Sequence, residues 1–246
     1  MSRDRVASSA YKWTLGLSIA AVQSLFYFGI SHLELHRSTE LLRTHLDDAI
    51  PFWTWTSWFY LPAYAAIFII AISTFRSREL FNRGLKAVGL VMIVGALGHI
   101  FIRAEYPRPV LHPPYGDIST AFMAFVQQID RPGNVFPSLH VAQTSTLAFL
   151  LYRDRPRVGI FTIFIAALLA LSTLTTKQHF IADVISGYAL AFAARAYVLR
   201  GLPARQPAAL AAAPVNAVVD TAHASRASVD DAVTGAVNHL GAGKTG

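Results

Sequence analysis

Six apolar stretches run through this chain, at Trp13–Ile30, Phe52–Thr74, Ala87–Ile102, Val135–Tyr152, Val158–Leu174 and Ile181–Leu199. A helix of about 20 mostly apolar residues is long enough to cross the hydrocarbon core of a bilayer. Charged residues make up 14% of the chain, against about 25% in an ordinary soluble domain. The expected fold is therefore all-α. It is a polytopic membrane protein with six transmembrane helices in a bundle over residues 1–200, and an Ala-rich cytoplasmic tail at 201–246. The third stretch is short, contains His99, and is the weakest of the six.

Basic residues alternate between loops. Arg3, Arg5 and Lys12 precede the first stretch, and Arg76, Arg78, Arg83 and Lys86 follow the second. Arg153, Arg155 and Arg157 follow the fourth, and Arg200 and Arg205 follow the last. The intervening loops carry fewer: Arg37 and Arg43, then Arg103, Arg108 and Arg131, then Lys177. The positive-inside rule then puts both termini in the cytoplasm. The net charge of +7 is read as this topological signal, and no nucleic-acid partner is expected. The basic start and first apolar run form an uncleaved span, because removing them would place the amino terminus outside. A bacterial inner membrane is the expected location.

Trp53, Trp55, Trp58 and Tyr60 fall at the outer end of the second span, where amphipathic rings favour the headgroup layer. The chain has no cysteine, which excludes disulfides and thiolate chemistry. Arg103–Asn134 holds Pro107, Pro109, Pro113, Pro114, Pro132 and Gly116 around the apolar patch Ala121–Ile129. Proline breaks continuous helix, so this outer segment reads as an irregular cap with one short interfacial helix. Beyond Leu202 the Ala-rich tail, with only weak apolar spacing over Val215–Leu240, reads as mostly disordered.

Ionisable groups are costly in a bilayer and mark functional sites. Tyr106-Pro107-Arg108-Pro109, Pro137-Ser138-Leu139-His140 and His179-Phe180-Ile181-Ala182-Asp183 all fall at outer span ends. On a helix, His179 and Asp183 share one face, one turn apart. Asp183 then accepts a hydrogen bond from one imidazole nitrogen, which fixes the tautomer and frees the other nitrogen for attack. A buried structural ion pair is the alternative for these two residues taken alone. Pro137 suits a first helical turn. The amides of Ser138, Leu139 and His140 would then point outward as an anion cradle. His140 is placed to protonate a departing alkoxide, although an interfacial histidine wetted by headgroups would look the same. Arg108, with Arg103 before it, offers guanidinium forks for phosphate, and Lys177 offers a point charge. Snorkelling is an equal account of Arg103.

Together these segments resemble the type 2 phosphatidic acid phosphatase (PAP2) superfamily, whose blocks are K-x6-R-P, P-S-G-H and S-R-x5-H-x3-D. Here they read Arg108-Pro109, Pro137-Ser138-Leu139-His140, and Ser172 with His179 and Asp183, within 101–187. Phe101 stands where the lysine belongs, Thr173 where the arginine follows the serine, and Leu139 where the glycine stands. Gly133–His140 with Lys177-Gln178-His179 is more similar to the inositolphosphotransferase branch, related to inositol phosphorylceramide synthase. The resemblance implies a lipid phosphatase or phosphotransferase that works through phosphohistidine on His179 without a metal or other cofactor. Arg108, Arg103, Lys177, Ser138 and Leu139 would bind phosphate. The partners would be a lipid phosphate or phospholipid and, for transfer, a lipid acceptor.

Two other readings are weaker. His32 and His36 with Glu34 and His45 hint at zinc, although ligation usually needs three or four convergent donors. A small transporter or channel could use His99, His140 and His179 as pore residues, but the ionisable groups gather at one face and no inverted repeat is present.

Overall fold

The structure is a computed structural model that describes residues 7–33, 38 and 41–202. Its helices are α1 (Ser9–Ser31), α2 (His45–Ala49), α3 (Leu61–Thr74), α4 (Arg78–Phe101), α5 (Ile118–Ile129), α6 (Leu139–Asp154), α7 (Pro156–Thr175) and α8 (Ile181–Val198), with a 3-10 helix at Thr54–Phe59. Among the described residues the only β pairing is an isolated Ser38–Ala104 bridge. The Ala-rich tail expected to be disordered lies outside the described residues, as do Glu34 and His36 of the zinc reading.

Five segments, α1, the 3-10 helix continued by α3, α4, α7 and α8, are long and apolar enough to cross a membrane. The protein is an integral membrane protein of all-α architecture. Helix α6 is shorter, at 16 residues, yet 12 of those are buried, because it packs against α3, α4, α7 and α8 together. It is the axis of the bundle. The weakest of the six stretches proves to be a 24-residue helix. It starts nine residues before the apolar run does. Ser77 caps the Leu80 amide, and the first turns carry Arg78, Glu79, Arg83 and Lys86, which interrupt the hydrophobic pattern without interrupting the helix. The second span is broken at Tyr60 between the 3-10 helix and α3. Pro62 has no N–H to bond one turn back, so the helix restarts there as α3.

The two ends of the bundle are tied differently. At one end the α3 terminus is closed by cations: Lys12 Nζ donates to the carbonyls of Ser73 at 2.8 Å and Phe75 at 3.0 Å, and Arg155 donates to Thr74 at 3.2 Å. The Asp154 carboxylate accepts the Arg76 amide at 2.7 Å. At the other end α5 lies on the 3-10 helix, with the Trp58 and Phe122 rings stacked at 4.3 Å. Helix α5 begins three residues before the apolar patch, because Asp117 caps the amides of Ser119 and Thr120. Trp53, Trp55 and Trp58 are exposed, as an interfacial belt requires, but Tyr60 is fully buried. Tyr60 belongs to the interior and not to the belt.

Candidate active site

The starts of α6 and α8 meet at the second end. The Ser138 amide donates to the Asp183 carbonyl at 3.1 Å, which locks the two helix origins together. Glycines permit this approach. A Cβ on Gly187 would sit 2.8 Å from the Ser138 carbonyl oxygen, and one on Gly98 would sit 2.5 Å from Pro137 Cδ.

His179 precedes α8 by two residues, so it and Asp183 do not share a helix face as the spacing predicts. They meet because the Asp183 carboxylate turns back over the start of α8. Its Oδ2 accepts the Phe180 amide at 2.7 Å and faces His179 Nδ1 at 3.4 Å. Catalytic hydrogen bonds are often this long before substrate binds. His179 is 2% exposed and Asp183 fully buried, and His179 Nε2 has no hydrogen-bond partner. One imidazole nitrogen is thus oriented and the other left available.

His140 lies in the first turn of α6, with its ring centroid 5.9 Å from that of His179. The Tyr60 hydroxyl is 3.1 Å from His140 Nδ1 and 3.3 Å from Nε2. Tyr60 donates its single proton to Asp130 Oδ2, and Tyr27 donates to Oδ1 of the same carboxylate. A chain Asp130–Tyr60–His140 results, in which the imidazole N–H is the donor to Tyr60. The rings of Tyr27, Tyr60 and Tyr64 enclose His140.

Arg108 binds the far side of Asp130. It donates to the Asp130 and Arg131 carbonyls and pairs with the Asp130 carboxylate at 3.6 Å, and its buried Nε has no partner. Burial alone would raise the Asp130 carboxyl. Arg108, His140 and the two tyrosine hydroxyls outweigh it and hold the group below the ordinary carboxylate range.

The remaining expected phosphate ligands sit elsewhere or are engaged. Of the three amides expected to face an anion, that of Ser138 is taken by Asp183. The Ser138 hydroxyl caps the Val141 amide, so Leu139 and His140 keep the N–H groups that have no acceptor within the helix. The Leu139 side chain packs in the core. Lys177 adopts a left-handed φ of 55° and donates to the Asp47 carbonyl at 2.7 Å. Burial lowers its ammonium below the ordinary value. Arg103 turns its Nε to the Ile100 carbonyl at the end of α4. Neither cation contacts the histidine pair.

Asp130 and Tyr60 are the site residues that sequence reasoning missed. Tyr60 hides among three tryptophans. Asp130 is the only carboxylate in the 36 residues from 118 to 153, immediately after an amphipathic helix, and that isolation is the signal that would have found it. Among the described residues no group of three or more His, Cys, Asp or Glu side chains converges as a metal site.

A family model described as PAP2 superfamily matches residues 31–197. No curated protein and no solved structure matches the chain.

Proposed function

Because the chain belongs to the PAP2 superfamily, whose members act as phosphatases or phosphotransferases on phosphate esters, we propose that it turns over a lipid phosphate or phospholipid through a phosphohistidine. His179 Nε2 attacks phosphorus, while Asp183 holds the proton on Nδ1 and steadies the imidazolium. His140 gives a proton to the departing alkoxide oxygen and recovers it from the water or alcohol that next attacks the phosphohistidine. The Asp130–Tyr60 pair holds His140 in place. Arg108, through its unpartnered Nε, and the Leu139 and His140 amides meet the equatorial oxygens, the main task in phosphoryl transfer. Arg103 and Lys177 would add charge only after leaving their present partners. The reading needs no metal.

The observation that carries this is His179: buried, oriented through one nitrogen and unpartnered at the other. Transfer of a phospho-headgroup to a lipid alcohol, as in the inositolphosphotransferase branch, is the second reading. It is favoured by the burial of His179 and Asp183, which limits access of water to the intermediate.

The test uses the full chain in detergent with EDTA, offered phosphatidic acid, a prenyl diphosphate, or phosphatidylinositol with ceramide or diacylglycerol. Release of inorganic phosphate identifies hydrolysis, and a new headgroup-bearing lipid identifies transfer. His179→Ala is expected to lose activity by on the order of 10⁴-fold or more and to form no acid-labile phosphoprotein. Full activity of that variant would overturn the mechanism, and turnover abolished by EDTA would overturn its metal independence.

A further inference from the structure

Next to His140, between α1, α3, α4 and α6, lies a cavity of about 190 Å³. His140 and Asp130 line it, and so do Gln23, Tyr64 and Gln143, among walls that are otherwise mostly apolar. These three form a closed polar triangle. Gln23 Nε2 donates to Tyr64 Oη at 2.6 Å and to Gln143 Oε1 at 2.6 Å, and Tyr64 donates to Gln143 Oε1 at 2.5 Å. The triangle leaves two atoms without partners, Gln23 Oε1 and Gln143 Nε2. Gln143 is fully buried and Gln23 is 9% exposed. Reversing both amides keeps the triangle and exchanges the two free atoms. In either arrangement one acceptor and one donor remain unmet in an apolar setting, where an unpaired polar group is costly.

We propose that this cavity holds the linkage region of the lipid substrate, and that Gln23 and Gln143 select lipid phosphates whose linkage both donates and accepts a hydrogen bond. Neither unpartnered atom has accessible surface of its own, so the two amides turn toward the cavity when a free hydroxyl or a secondary amide meets both. A pair of esters can only accept, and a plain hydrocarbon chain does neither. The depth is appropriate. Gln143 follows His140 by three residues, about 4.5 Å along the helix at about 1.5 Å per residue. A lipid whose ester oxygen takes the His140 proton therefore places its next few bonds, where hydroxyl, amide or ester groups occur, beside the glutamines. The pair is a specificity device that takes no part in the chemical step. The inference rests on the phosphohistidine reading only for the direction in which the lipid lies.

Binding is the decisive measurement. The full chain carrying His179→Ala, in detergent, is offered oleoyl lysophosphatidic acid, ceramide phosphate, dioleoyl phosphatidic acid and farnesyl phosphate in competition. Retained lipid is read by native mass spectrometry. The two lipids with a hydroxyl or amide are expected to exceed farnesyl phosphate by roughly 25-fold, with phosphatidic acid between at roughly fivefold, each hydrogen bond contributing about fivefold. Gln23→Leu or Gln143→Leu should shrink that ratio several-fold. Gln143→Met, which keeps the chain length, should do the same, and thermal melting checks that each variant is folded. A ratio near one in the parent, a ratio that survives these substitutions, or retention of none of the four lipids overturns the inference. Turnover is assayed separately on the chain with His179 intact. If no lipid is turned over while the glutamine-dependent ratio persists, the mechanism fails and the binding site stands.

Discussion

Tyr60 has one hydroxyl proton, and it goes to Asp130. The oxygen that remains can only accept, so it faces the protonated nitrogen of His140 and holds that ring. Tyr60→Phe removes this acceptor and little volume. It is expected to lower kcat by roughly 10- to 100-fold, the range for a lost hydrogen bond to a charged group, with melting nearly unchanged; kinetics in detergent would show it. Asp130 carries a pH consequence as well. Its pKa in the folded state lies below the ordinary 3.8, so its contribution to stability is complete above that value. It is lost as pH falls through the lowered one. Melting followed from neutral pH to about pH 3 should therefore fall more steeply for the parent than for Asp130→Asn. The convergence of His140, His179 and Asp183 was legible in the sequence, although His179 and Asp183 meet across the start of α8 and not on the shared helix face that their spacing suggested. Asp130 and Tyr60 were not, because their partnership is made by a break in one span and the end of a distant cap helix, which no local pattern records.

The geometry of the histidine pair depends on how closely α4 and α8 approach the start of α6. A methyl group on Gly98 would stand 2.7 Å from the Phe136 carbonyl oxygen as well as against Pro137, so backbone and ring would have to shift. Gly98→Ala is expected to reduce kcat by about 10²-fold, as displacements near 1 Å do. Activity and melting measured on the same preparation separate misplacement from unfolding. Asp47 fastens the same region from outside: its Oδ1 accepts the Ile181 amide at 2.8 Å and its carbonyl holds Lys177. The spans themselves were readable, because lipid demands long apolar runs. Their ends were not. The first turns of α4 are polar where the helix leaves the apolar layer, and α6 is short because its burial comes from neighbouring helices and not from lipid.

At the scale of the whole molecule the bundle has a basic end and a chemical end. Lys12, Arg76 and Arg155 gather where α3 finishes, while both histidines, Arg108 and Asp130 lie opposite. The expected orientation puts the basic end in the cytoplasm. Because the chain has no cysteine, single introduced thiols report sidedness cleanly. Gly116→Cys, with open space around it, should react with a membrane-impermeant maleimide in intact cells. Arg157→Cys should react only after lysis. The reverse pattern would invert the topology. The alternation of charge is what predicts this orientation from the sequence, whereas the order of packing around α6 left no such trace. That packing bears on how the protein is made. Helix α6 carries Gln143, Thr144, Ser145 and Thr146 in succession, all buried, and a segment so short and polar has little tendency to leave the translocon for lipid by itself. Its His140 is expected to enter the membrane in the company of later helices, so integration of the candidate site should wait on the synthesis of α7 and α8.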